Sequence, residues 1–241
     1  MTKNNAPVVA KELIVPFALI TFCFALWGFA NNVTDPLVKA FGTIFNQSAF
    51  ISSFVQFAFY GGYCFMAIPA AIYIKKKSYK SGILVGLALY ALGGLLFIPA
   101  SLSGVFWSFC AAFFIMTCGL SFLETSANPY ILSMGDESTA TQRLNFAQSF
   151  NPMGSIIGIL VAKDFILAKL NKLSTTERAE LPVEEFEAVK MADLAVVREP
   201  YVAIGVVIAV MFILIFLRKM PSNKDTDKNL DLKGTFYRLL S

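Results

Sequence analysis

Six runs of apolar residues, each about as long as a bilayer core is thick, dominate this chain. They cover about Leu13–Phe41, Phe50–Ile74, Ser81–Ser101, Val105–Met134, Leu144–Leu167 and Pro200–Leu217. A hydrocarbon core of roughly 30 Å needs about 20 apolar residues per helix, and the last run meets that only narrowly. Inside lipid, every backbone N–H and C=O must be paired within the protein, which leaves helices or a closed barrel. A barrel strand alternates apolar and polar residues, whereas these runs are continuous. The expected fold class is all-α transmembrane, a six-helix bundle.

Composition closes off the alternatives. Of 241 residues, 56% are hydrophobic and 15% charged, against roughly a quarter charged in an ordinary soluble domain. Disorder and a soluble single core are both excluded. The net charge is +4, with Lys and Arg in short clusters between the apolar runs, so no nucleic-acid partner is expected. The chain has no His, which removes His triads, His metal sites and imidazole relays. Cys23, Cys64, Cys110 and Cys118 lie inside apolar runs without metal-ligand spacing and read as small buried hydrophobes. No metal and no organic cofactor is expected. The stretch LIVPFALITFCFALWGFA is too long for a signal-peptide core and no A-x-A site follows, so it reads as an uncleaved first helix.

Charge gives the orientation. Lys3, Lys11, Lys75, Lys76, Lys77, Lys80, Arg143 and the basic residues from Arg218 to Arg238 all fall on one side. Positive loops stay inside, which places both termini in the cytoplasm of a multi-pass protein of the cytoplasmic membrane. The expected division is a cytoplasmic segment over 1–12, the bundle over 13–217, an extracytoplasmic loop over about 163–199, and a cytoplasmic linker over 218–241. The loop carries a capping box at Ser174–Glu177. It reads most simply as a solvated linker, with gating or binding as the alternative.

Of the 16 acids, fourteen lie in loops or near the ends of the runs; Asp35 and Glu124 do not. A charge near the bilayer centre costs about 2.5–3.5 kcal/mol on insertion scales and usually marks a substrate or ion path. Asn31 and Asn32 precede Asp35 at helical spacing, and Pro36 follows. Asn128 lies four residues after Glu124, and Pro129 follows. The fifth run adds Asn145, Gln148, Ser149 and Asn151; the second adds Ser52, Gln56, Tyr60 and Tyr63. Amides and carboxylates can fork hydrogen bonds to neighbouring hydroxyls, and aromatic faces cover C–H faces, which suits a neutral sugar or polyol. A low-dielectric setting favours the neutral carboxyl, so Asp35 and Glu124 are the candidates for coupling protons to transport. Against this stand structural readings: Asp35 as an interfacial cap, Glu124 as half of an interhelical pair, and each amide as glue between helices. The Gly82-x-x-x-Gly86 and Gly154-x-x-x-Gly158 spacings read as close helix packing. GFANNVTDP in the first run is echoed by GLSFLETSANP in the fourth, as a 3+3 inverted repeat would produce.

Four motifs carry a resemblance: WGFANNVTDPL (Trp27 to Leu37), IPAAIYIKKKSYKSG (Ile68 to Gly82), LETSANPYI (Leu123 to Ile131) and RLNFAQSFNPMGSIIG (Arg143 to Gly158). In this order they resemble the fucose permease group, the fucose/galactose/glucose–proton symporter branch of the major facilitator superfamily. The resemblance implies that the bundle equals the N-terminal half of a twelve-helix fold and that the function is proton-coupled uptake of fucose or a related hexose. By that resemblance Asp35 matches the acid that exchanges the coupling proton. Glu124 matches a second acid linked to sugar recognition. Asn32 and Gln148 match sugar-contacting positions, with Asn128 and Asn151 close to them; Asn31 and Gln56 join this candidate set. Lys75, Lys76, Lys77 and Lys80 resemble a gating loop, although Ala71 stands where Gly is common and the usual Asp is missing. A chain of this length is expected to be the N-terminal half of a longer transporter. It would work with a C-terminal half or a second copy of itself. A major-facilitator transporter of another small solute, and an inactive truncated half or membrane subunit needing a separate C-terminal half, remain as alternatives.

Overall fold

The computed structural model describes residues 7–218 and 220, and no strand occurs among them. Residues 1–6 of the expected N-terminal segment, and the expected linker from residue 221 onward, lie outside the described residues. Among the described residues, six helices are long and apolar enough to cross a membrane: α1 (Lys11–Thr34), α2 (Ala49–Lys76), α3 (Tyr79–Ser103), α4 (Phe106–Leu132), α5 (Glu137–Leu167) and α6 (Val183–Leu217).

Two boundaries differ from expectation, each for a local reason. The first apolar run does not form one helix to Phe41. Pro36 has no N–H to give to the ladder, so α1 stops at Thr34 and the chain restarts as the short helix Leu37–Ile44. Asp35 sits in that break. At the other end, α6 begins at Val183 rather than at Pro200 and runs through Pro200. Pro182 precedes its first turn, where Glu184 and Glu185 complement the positive helix end. Leu194, Val197, Tyr201, Ile204, Ile208, Met211 and Ile215 are buried along one stripe of this helix. Their spacing of three and four residues fits a single helix packed on one side.

The helices pair as α1 with α5, α2 with α4, α3 with α4, and α3 with α6. Exchanging the first three helices for the last three turns the α1–α5 pair into the α4–α2 pair and leaves α3–α6 unchanged. Three of the four pairs thus follow a 3+3 repeat, while the α3–α4 pair has no counterpart of similar extent between α6 and α1. α4 is the most buried span, while α2 and α5 are the least. Missing side chains allow the close crossings. A Cβ on Gly154 would overlap the Ala25 carbonyl, and one on Gly86 would meet the Gly119 carbonyl oxygen at 2.8 Å.

Aromatic rings fill the end of the bundle beside the α1 break. Phe97 and Tyr201 stack with centroids 4.0 Å apart, and Phe113 meets Phe97 edge-on at 5.0 Å. The Tyr201 hydroxyl lies 3.1 Å from Thr34 Oγ1, which ties α6 to the end of α1. At the opposite end, the buried Arg143 guanidinium donates to the carbonyls of Ile131, Leu132, Asp136 and Val8. It closes α4 and fastens the segment before α1. Lys80 Nζ donates to the Phe216 and Arg218 carbonyls at 3.2 and 2.6 Å, closing α6.

The α5–α6 connection is folded. Ser174 and Glu177 form the expected capping box at the start of a short helix, Thr175–Ala179. The Ser174 N–H and hydroxyl hold the Glu177 carboxyl below its usual range. Arg178 and Asp193 form a buried ion pair at 2.6 Å. Asp193 also accepts the Asn171 N–H at 2.8 Å, so the loop is pinned to α6.

Candidate substrate cleft

One polar cleft opens between α2 and α4, with a volume of about 650 Å³. Helical spacing of three and four residues builds both walls. Tyr60, Tyr63, Cys64 and Ala67 come from α2; Ser121, Glu124, Thr125, Asn128 and Pro129 come from α4. Thr125, which lies between Glu124 and Asn128 in sequence, therefore also faces the cleft. Cys64 is exposed here, unlike the three other cysteines, which are buried. This corrects the expectation that all four are buried hydrophobes.

A chain of hydrogen bonds crosses from α1 to this wall. Trp27 Nε1 donates to the Tyr63 hydroxyl at 2.8 Å, and that hydroxyl donates to Asn31 Oδ1 at 3.3 Å. Tyr63 lies within electrostatic reach of Glu124 and of Tyr60. The Tyr60 hydroxyl in turn lies within electrostatic reach of the Asp35 carboxylate. The two acids therefore sit at opposite ends of a pair of tyrosines one helical turn apart on α2. On the α5 side, Gln148 Nε2 donates to Asn128 Oδ1 at 3.1 Å, and Asn128 Nδ2 is held by the Glu124 backbone carbonyl at 3.0 Å.

Not every candidate residue gathers there. Asn32 Nδ2 donates to Ser155 Oγ at 2.9 Å and to the Gly28 carbonyl at 3.0 Å. Asn151 Nδ2 donates to the Phe24 carbonyl at 3.4 Å. Both amide nitrogens are committed to the α1–α5 crossing. Gln56 is exposed on α2, one turn before Tyr60. Lys75 and Lys76 occupy the last turn of α2, where positive charge suits the helix end. Lys75 Nζ is buried and has no hydrogen-bond acceptor among the described residues.

Asp35 also faces a second space. A vestibule of about 660 Å³ is bounded by Asp35, Lys39 and Thr43 on one side and by the loop residues Asn171, Lys172 and Arg178 on the other. The acid in the α1 break is thus reached from the loop side and touches the cleft through Tyr60. The bridging role of the tyrosines was not anticipated. The signal was the three-residue spacing of Tyr60 and Tyr63 on a helix whose neighbours are mostly Phe.

Six spanning helices with repeat-like pairing around a cleft that holds ionisable groups define a membrane-carrier bundle. The chain belongs to the Major Facilitator Superfamily, whose profile matches residues 20–239. It is 52% identical over 225 residues to the L-fucose-proton symporter of Haemophilus influenzae, a match covering 91% of this chain and 53% of that protein. It is 38% identical over 232 residues to the L-fucose-proton symporter of Escherichia coli, covering 96% of this chain and 53% of that protein. A glucose/galactose transporter of Brucella abortus is 31% identical over 219 residues, 90% of this chain and 50% of that protein. A crystal structure of the major facilitator transporter FucP in an outward conformation superposes with a TM-score of 0.80 at 37% identity, covering 95% of this chain and 56% of that one. The chain spans about half the length of the curated relatives it matches.

Proposed function

We propose that this chain forms the N-terminal half of a proton-coupled symporter that takes up fucose or a related hexose across the cytoplasmic membrane by alternating access. The observation that carries this reading is a cleft lined by Tyr60, Tyr63 and Glu124 in an otherwise apolar bundle, with Asp35 in the second space within electrostatic reach of Tyr60. The names of the two fucose symporter relatives supply the load. Both termini face the cytoplasm in this reading, so the vestibule beneath the α5–α6 loop opens outward. Protonation of Asp35 from that side neutralises its charge and favours sugar binding. The sugar is held by Glu124, Asn128, Gln148 and Asn31, with Gln56 and the side-chain oxygens of Asn32 and Asn151 joining as the cleft closes. Rocking against a second six-helix unit exposes the site inward, and proton and sugar leave together. The loop bearing Lys75, Lys76, Lys77 and Lys80 gates the inner side, and the buried Lys75 Nζ, unpaired among the described residues, supports a pairing in which it donates to a carboxylate of the second unit. That unit is a C-terminal half or a second copy.

The test is uptake of radiolabelled fucose, galactose and glucose by proteoliposomes. The chain is reconstituted alone and joined to the C-terminal half of the Haemophilus influenzae relative, with and without an inward proton gradient. Accumulation of one sugar only with the gradient supports the reading and names the load. Equal uptake with and without the gradient would refute the coupling.

A further inference from the structure

A third cavity plays no part in the transport reading. This groove of about 530 Å³ lies between α1, α5 and α6, and its lining is apolar except at one end. There the two charged residues facing it are Lys169 and Glu199, both exposed. Three backbone features meet along it. The last two turns of α5, Val161–Leu167, are π-helical, a wider winding often found at functional sites. Gly154 leaves α5 without a side chain against α1, and Pro200 interrupts the hydrogen-bond ladder of α6. The groove opens sideways, since Phe22, Ile157, Phe165 and Val207 are substantially exposed. In a spanning bundle those faces meet lipid. Its volume falls within the roughly 300–1,000 Å³ of small-molecule sites.

The rim carries one charge of each sign. Lys169 Nζ sits 5.5 Å above the Phe165 ring. The ion pairs among the described residues are Arg178–Asp193 and Lys190–Glu187, so neither rim charge is neutralised by a neighbour. One cation beside one anion matches a zwitterion. An anionic headgroup would satisfy Lys169 but set its excess charge against Glu199. A choline headgroup has the right charges but no N–H to donate to a carboxylate. We propose that this groove holds an acyl chain of phosphatidylethanolamine, with the lipid phosphate on Lys169 and its ammonium on Glu199. In the orientation proposed above, that is a lipid of the outer leaflet.

The experiment is lipid retention. The full chain is purified in mild detergent from bacterial membranes containing phosphatidylethanolamine and phosphatidylglycerol, and the co-purifying lipids are quantified by mass spectrometry. Thermal stabilisation is then read for added phosphatidylethanolamine, phosphatidylcholine and phosphatidylglycerol. Phosphatidylethanolamine should be enriched at least threefold over its share of the membrane and should raise Tm most. Lys169→Ala and Glu199→Ala should each abolish the enrichment, and Glu199→Lys should turn the preference towards phosphatidylglycerol. Ala203→Trp, which fills the groove, should strip the retained lipid. If that variant fails to fold, the rim variants, altered only at exposed positions, decide. No enrichment, enrichment unchanged in the rim variants, or equal stabilisation by phosphatidylcholine would overturn the proposal. None of these readouts requires transport, so the failure of the symporter reading would leave this one standing.

Discussion

At the scale of single residues, the cleft contains its own reporter. Cys64 is exposed among Tyr60, Glu124 and Asn128, while Cys23, Cys110 and Cys118 are buried. A small hydrophilic maleimide should therefore label Cys64 and spare the other three, as read by peptide mass spectrometry, and a bound sugar should slow that labelling. Unchanged labelling at saturating sugar would place the ligand elsewhere. Glu124 itself is best tested by Glu124→Gln, which keeps the shape and removes the charge. A hydrogen bond to a charged group contributes about 1.5–3 kcal/mol, so sugar affinity measured by calorimetry should fall at least tenfold. Asp35 and Glu124 were legible in sequence because a carboxylate in an apolar run is expensive. The placement of Asn32 and Asn151 was not, since an amide on a helix face can serve a ligand or a neighbouring helix equally well. Ser155 and the Gly28 carbonyl take up the Asn32 amide nitrogen, and nothing in the local pattern distinguishes that use.

At the scale of elements, neighbouring glycines on α2 give a controlled comparison. A Cβ on Gly62 would overlap Thr117 and lie 2.8 Å from the Phe114 carbonyl oxygen, whereas one on Gly61 would meet only the Phe114 ring at 3.9 Å. Overpacking costs about 1–3 kcal/mol, so Gly62→Ala should lower Tm and Gly61→Ala should not. Equal behaviour of the two would contradict the α2–α4 crossing. The α5–α6 loop offers a second test. Removing one partner of a buried ion pair costs about 3–5 kcal/mol. Arg178→Met or Asp193→Leu alone should therefore speed hydrogen exchange across Thr175–Ala179, and the double variant should cost less than the two singles summed. The six spans were readable from run length alone. The helical start of α6 was not taken from the sequence, because the charges between Val183 and Glu199 mask the apolar stripe that Leu194 and Val197 begin. The break at Asp35 escaped for a different reason: apolar residues continue on both sides of Pro36, and hydropathy does not register a missing N–H.

At the scale of the molecule, the pairing of α1 with α5 and of α2 with α4 builds two similar halves within one bundle. α2 and α5, equivalent under that exchange, are also the least buried spans. Phe57 and Phe65 on α2 are 70% and 72% exposed. The α2 face beside the open cleft is thus left uncovered within the six-helix bundle. Under the proposed function, protonation of Asp35 couples the gradient to the sugar. The most direct measurement compares gradient-driven accumulation of radiolabelled fucose with fucose exchange at equal pH, in proteoliposomes of the chain joined to a relative's C-terminal half, before and after Asp35→Asn. If Asp35 carries the coupling proton, Asp35→Asn abolishes accumulation and preserves exchange. Accumulation that survives Asp35→Asn would contradict it.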